Sequence, residues 1–235
     1  MFQYQFDWGI VTSGKYFGWL LSGLYTTVQL SAVSIVLAFL LGLVLAVMRM
    51  SRVRPLRWLA YGYLEFFRNT PLLVQMFFWY FGSYKLLPEA VNDMLAQTSF
   101  EFTAAVIALT IYTSAFIAED IRSGVRSIPK EQMEAARSSG FSYVRAMQYV
   151  ILPQAIRITI PPLINQFLNL TKNSSLAMTI GVAELTYQAR QVESYTFKGY
   201  EAFTAATLVY LVLSLLITGL VNLYNKTVLT RMRGE

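Results

Sequence analysis

Between Lys15 and Arg49 the chain carries no charged side chain. About 20 apolar residues cross the hydrocarbon core of a bilayer, so residues 16–48 confine the chain to a membrane. Four further apolar runs cover residues 59–87, 102–118, 156–183 and 202–225. The run 102–118 is short but can extend at either end. Two runs are interrupted by charge, 59–87 by Glu65 and Arg68 and 156–183 by Lys172, while Lys85 and Arg157 stand at their outer and cytoplasmic ends. Backbone amides inside lipid must be satisfied within the segment, which leaves helices. The expectation is an all-α, multi-pass membrane domain of five spans. Charged residues are 14% of the chain, against about 25% in an average soluble domain.

The basic residues give that domain an orientation. Arg49, Arg52, Arg54 and Arg57 follow the first span, and Arg122, Arg126, Lys130, Arg137, Arg145 and Arg157 lie between the third and fourth. Lys226, Arg231 and Arg233 follow the fifth, while the opposite side has only Lys15, Lys85, Arg190 and Lys198. Positive charge concentrates on the cytoplasmic side, which places the N-terminus outside and the C-terminus in the cytoplasm. The net charge of +6 is thereby a membrane signature rather than a nucleic-acid one. Residues 1–15 start without basic residues and include Asp7, unlike a cleavable signal; Phe2, Tyr4, Phe6 and Trp8 suggest an external interfacial anchor. Residues 16–229 then form the transmembrane domain and 230–235 a cytoplasmic tail.

The chain has no Cys and no His, so thiol nucleophiles, imidazole bases and the usual transition-metal sites are excluded together. No phosphate-binding Gly-x-x-x-x-Gly-Lys-Ser/Thr occurs, so ATP hydrolysis is not expected of this chain. Small residues recur at spacing four, Ala38, Gly42 and Ala46, Ala104 with Ala108, Ser114 with Ala118, and read as helix-packing seams.

Chemistry is expected where the spans are polar. In the second, Pro71 removes the donor for the Phe67 carbonyl and predicts a bend. Glu65, Arg68, Gln75 and Trp79 fall on one face at 100° per residue. Two readings stay open, a self-sufficient Glu65–Arg68 pair and a polar face along a transport path. In the fourth, Asn165, Asn169, Lys172 and Asn173 form one stripe, followed by Ser174. Lys172 stands about 24 Å along the helix from Ile156, where an unpartnered Lys costs about 2.5–3.5 kcal/mol. The stripe is therefore expected to face inward, with Lys172 either paired to Glu65, Glu119 or Glu184 or lining the substrate's route.

The loop of residues 125–153 is amphipathic. Pro129 suits a helix start, Glu131 and Glu134 suit its first turns, and Gly140 suits a left-handed helix end. A second helix is expected from about Ser142, interrupted at Pro153. Ala135 and Ala136 give the first helix a thin waist that fits a protein cleft better than lipid.

At these residues a resemblance becomes specific. Glu134-Ala135-Ala136, Gly140 and Leu152-Pro153, in that order and spacing, resemble the EAA loop of permease subunits of ATP-binding cassette (ABC) importers, with Val150 where Ile is common. "EFFRNTPLLVQ" and "KNSSLAMTIGVAEL" are similar to the polar amino-acid permease family, and "FDWG", "EFFRNTPLLVQMFFWY" and "NLTKNSSLAMTIG" look closest to its glutamate/aspartate branch. The resemblance implies a type I importer permease in a bacterial inner (plasma) membrane, with residues 125–153 as a coupling loop. It further implies two ATP-binding subunits holding ATP and magnesium, a second permease subunit, identical or related, and a periplasmic or extracellular amino-acid-binding protein. Glu134, Ala135, Ala136, Gly140, Leu152 and Pro153 would serve coupling. Glu65, Arg68, Gln75, Asn165, Asn169, Lys172, Asn173 and Ser174 would border the path of a polar amino acid. The rival is an ion- or proton-coupled secondary transporter, which usually carries paired repeats that this sequence lacks. A membrane enzyme would need more than the carboxylates Glu119, Asp120 and Glu184.

Overall fold

The computed structural model describes residues 4–86 and 99–231, the side chains of 83–86 and 220–231 excepted. Phe2, the Leu87 end of the second expected span and residues 232–235 of the expected tail lie outside it. The described residues are helical, without strands. The helices are α1 Gly9–Thr12, α2 Gly14–Met50, α3 Arg54–Arg68, α4 Leu72–Leu86, α5 Phe100–Arg126, α6 Lys130–Ser138, α7 Tyr143–Ala146, α8 Leu152–Asn173, α9 Leu185–Thr196 and α10 Gly199–Arg231. Among the described residues, three segments are long and apolar enough to cross a bilayer, Gly14–Met50, Phe100–Arg126 and Gly199–Gly219. The second and fourth expected spans are each divided.

The chain gathers into two compact units. The first comprises Met1–Ser34, Met76–Leu109 and Leu168–Glu235; the second comprises Ile35–Gln75 and Thr110–Phe167. In the first, Val11, Leu20, Leu185, Ala189, Val192, Ala202 and Ala206 form a core. The Glu201 carboxylate at the start of α10 accepts from Tyr4 Oη at 2.5 Å and from the Asp7 amide at 2.8 Å, so the N-terminal aromatic segment is tied to the protein. In the second, Leu45, Ala46, Ala60, Leu64, Ala115 and Ala118 pack together. The small-residue seam works as expected here. A Cβ on Gly42 would stand 2.6 Å from Ile117 Cγ2, so α2 and α5 approach too closely for a larger residue.

The second expected span breaks where a bend was predicted. Pro71 has no amide hydrogen and disfavours the helical conformation at Thr70; α3 stops at Arg68 and α4 starts at Leu72. The carbonyls exposed by the break are taken up by nearby side chains. Asn69 Nδ2 donates to Glu65 O at 2.7 Å, Thr70 Oγ1 to Phe66 O at 2.9 Å and Gln75 Nε2 to Phe67 O at 3.0 Å. Because Glu65 and Arg68 stand on α3 and Gln75 and Trp79 on α4, a uniform 100° per residue does not carry across the four of them.

The chain stays helical at Pro153, where an interruption was expected. Met147–Ile151 winds as one π turn, and the Leu152 amide reaches back to Met147 O. The wider turn separates the proline ring from the carbonyl it would otherwise meet. Gln154 Nε2 caps Val150 O at 2.8 Å. The fourth expected span, in turn, does not run to residue 183. After Asn173 the chain tightens into the 3-10 segment Ser174–Ile180 and turns at Gly181, with φ +93°.

Candidate functional site

The sequence expectations for function fall chiefly at two places, the loop after α5 and the end of α8. In the loop, α6 spans Lys130–Ser138 with Glu131 in its first turn and Arg137 in its last, both complementing the helix dipole. Its end is a Schellman turn: the Phe141 amide donates to Ala136 O at 3.2 Å and the Gly140 amide to Arg137 O at 3.1 Å. Gly140 sits at φ +89°. No atom lies within 4 Å of where its Cβ would be, so a side chain is opposed there by the backbone conformation alone. Ser142 then caps α7, its hydroxyl accepting from the Arg145 amide at 3.3 Å.

The Ala pair divides its duties. Ala136 is buried, and Met133 packs on the cluster of Ile128, Ile151 and Ala155. Glu134, Ala135 and Arg137 remain exposed. The loop helix is therefore fixed to its own protein by one face and offers a small, charged face outward. Leu152 and Pro153, at the start of α8, are exposed as well.

The structure adds a residue that sequence reading passed over. A Cβ on Gly124, near the root of the loop, would lie 2.0 Å from Thr159 Oγ1, so α5 and α8 cross in direct contact. Thr159 donates to Ala155 O at 2.7 Å. Glycine followed at long range by a helical threonine carries no local signal of such a crossing.

On α8, Asn165, Asn169 and Lys172 are exposed on one face and Asn173 is half-buried. The stripe lies on the surface of this chain, not inside it. Ser174 is buried, and its hydroxyl donates to Thr171 O at 2.7 Å, while Ser175 donates to Lys172 O at 2.7 Å. These serines close the helix end, so the Ser174 hydroxyl is occupied by structure.

The three acids offered as partners for Lys172 are engaged elsewhere. Glu119 pairs with Arg122, whose Nε lies 2.8 Å from Oε2. Glu184 caps α9, accepting from the amides of Thr186 and Tyr187 at 2.9 and 2.8 Å and from Tyr210 Oη at 2.7 Å. Glu65 receives the Asn69 amide at 3.2 Å, and Arg68 lies over the Phe116 ring rather than pairing with Glu65. The Lys172 ammonium has no partner among the described residues. It stands in the last turn of α8, where the dipole favours a cation, and leaves its donors available to a carboxylate. Gln75 differs: it is 4% exposed and its amide hydrogens go to Phe67 O, Thr70 O and Thr70 Oγ1.

Comparison with known proteins gives this geometry a context. The family described as "Binding-protein-dependent transport system inner membrane component" matches residues 38–230. The "Probable glutamine ABC transporter permease protein GlnM" of Bacillus subtilis (strain 168) is 47% identical over 89% of this chain and 93% of its own. The "Glutamate/aspartate import permease protein GltJ" of Escherichia coli (strain K12) is 34% identical over 95% of each. A solved chain titled "Crystal structure of an amino acid ABC transporter with histidines" superimposes with a TM-score of 0.84 at 35% identity, covering 96% of this chain and 100% of that one.

Proposed function

Since this chain belongs to the family of inner-membrane components of binding-protein-dependent transport systems, and is an amino-acid ABC importer's permease, we propose that it carries a polar amino acid past the face formed by Asn165, Asn169, Lys172 and Asn173. The observation carrying this reading is the Lys172 ammonium, exposed beside two amides and free of any partner among the described residues. A substrate α-carboxylate supplies the charge-assisted partner that the chain withholds. Exposure of this stripe on one chain suits a path completed by a second permease subunit.

Glutamate or aspartate is the cargo read from the sequence motifs and supported by the likeness to GltJ. Glutamine is the second reading, favoured by the higher identity to GlnM. Uptake of labelled glutamate by the reconstituted transporter, competed in turn with aspartate and glutamine, separates them. Competition by aspartate alone supports the acidic reading. Absence of glutamate uptake where labelled glutamine is taken up replaces it.

Coupling falls to the exposed face of α6. Glu134 and Ala135 would seat in a groove of a separate ATP-binding subunit, which holds ATP and magnesium, while Ala136 and Met133 pass its movement to α8. Gly140→Val forces a β-branched residue to φ +89°, a conformation costing about 1–3 kcal/mol. Substrate-stimulated ATP hydrolysis should fall at least tenfold in vesicles, with assembly retained; undiminished stimulation would remove the loop from coupling. The five spans with the N-terminus outside are testable with single cysteines, since the chain has none. A cysteine at Arg145 should label from the cytoplasmic side, and labelling from outside alone would invert the topology.

A further inference from the structure

Two cavities of the second unit adjoin at Val125 and Leu152, which line both. The larger, about 740 Å³, is an apolar groove bordered by Ile35, Phe39 and Leu43 of α2 and by Ile156, Ile160 and Ile164 of α8. Its polar hydroxyl, that of Thr159, is engaged with Ala155 O. The smaller, about 670 Å³, gathers Arg49, Arg57, Arg122 and Arg126 with Ser51 and Tyr143, and no carboxylate lines it. Arg122 is neutralised by Glu119. Arg49 lies 4.6 Å from the Tyr61 ring centroid, and its Nε is buried without a hydrogen-bond partner. A basic recess thus opens directly onto a long apolar groove.

The helical register of α8 separates this groove from the polar stripe. At 100° per residue, Ile156, Ile160 and Ile164 point roughly opposite to Asn165, Asn169 and Lys172. The groove therefore belongs to the side of α8 turned away from the proposed substrate route.

We propose that the paired cavity binds an anionic phospholipid, its phosphate among Arg49, Arg57 and Arg126 and one fatty chain along the α2–α8 groove. The chemistry selects this occupant because a single molecule must present an anion next to an extended hydrocarbon. A neutral lipid or an apolar helix of a second copy would fill the groove and leave the guanidiniums unanswered. An acidic protein surface would answer the guanidiniums and leave the groove empty. Basic recesses between membrane helices are suited to anionic headgroups for the same electrostatic reason.

The test uses the intact purified transporter, titrated with phosphatidylglycerol or phosphatidylcholine and read by native mass spectrometry. Wild type should retain phosphatidylglycerol in preference to phosphatidylcholine. The triple change Arg49→Gln, Arg57→Gln, Arg126→Gln should weaken that retention at least tenfold, and Ile160→Trp, which fills the groove, should weaken retention of the same lipid without altering the guanidiniums. Should the triple variant fail to assemble, Arg57→Gln alone should still show a several-fold loss. Equal retention of the two lipids, or unchanged phosphatidylglycerol retention in Arg57→Gln, overturns the proposal. So does efficient cross-linking of an Ile156→Cys variant to a second permease chain, which would make the groove a protein interface.

Discussion

The end of α3 and the end of α8 both stop a helix with a run of polar residues, yet they use them differently. At the first, Asn69, Thr70 and Gln75 turn back on the carbonyls of Glu65, Phe66 and Phe67, so their hydrogen-bonding capacity is largely consumed by the break that Pro71 creates. At the second, Ser174 and Ser175 close the helix on the carbonyls of Thr171 and Lys172, while Lys172, Asn165 and Asn169 stay exposed. Polar residues at a helix end are therefore not one class. Those that satisfy their own backbone hold the fold, and those left over are available to a ligand.

That distinction can be broken by substitutions at the two ends, ordered here by expected loss of stability in detergent-solubilised protein. Gln75→Leu should cost the most, about 1–2 kcal/mol, since it strips three acceptors, the Phe67 carbonyl among them, of a donor that is itself buried. Its own Oε1, buried without a partner, limits the loss by being removed as well. Asn69→Ala should cost less, about 0.5–1 kcal/mol, because Asn69 is exposed and water can replace it at Glu65 O. Ser175→Ala should cost about 0.5 kcal/mol, removing one of the two serine caps of α8. Thermal or denaturant unfolding checks each value, and a larger loss for Ser175→Ala than for Gln75→Leu would reverse the comparison.

Much of this was legible wherever the cause is local. Gly140 ends α6 as read, because a helix stop is decided by the few residues around it. The seam at Gly42 was legible from its spacing alone. Pro71 announced a missing donor, but the number of side chains that would reach back to the freed carbonyls decided between a bend and a break, and a one-dimensional pattern does not count them. The π turn before Pro153 was hidden for a related reason, since a widened turn lets a proline continue a helix that the sequence says it ends. Gly124 against Thr159, and the Tyr210 hydroxyl on Glu184, depend on contacts between distant segments. Only the fold could assign them.

Lys172→Met tests the central distinction most directly, because it keeps the length of the side chain and removes only the charge that the structure leaves unpaired. The account predicts no loss of stability or of assembly with the ATP-binding subunits, together with a fall of at least tenfold in amino-acid uptake by reconstituted vesicles. A variant that fails to assemble, or one that assembles and transports with wild-type kinetics, would contradict it.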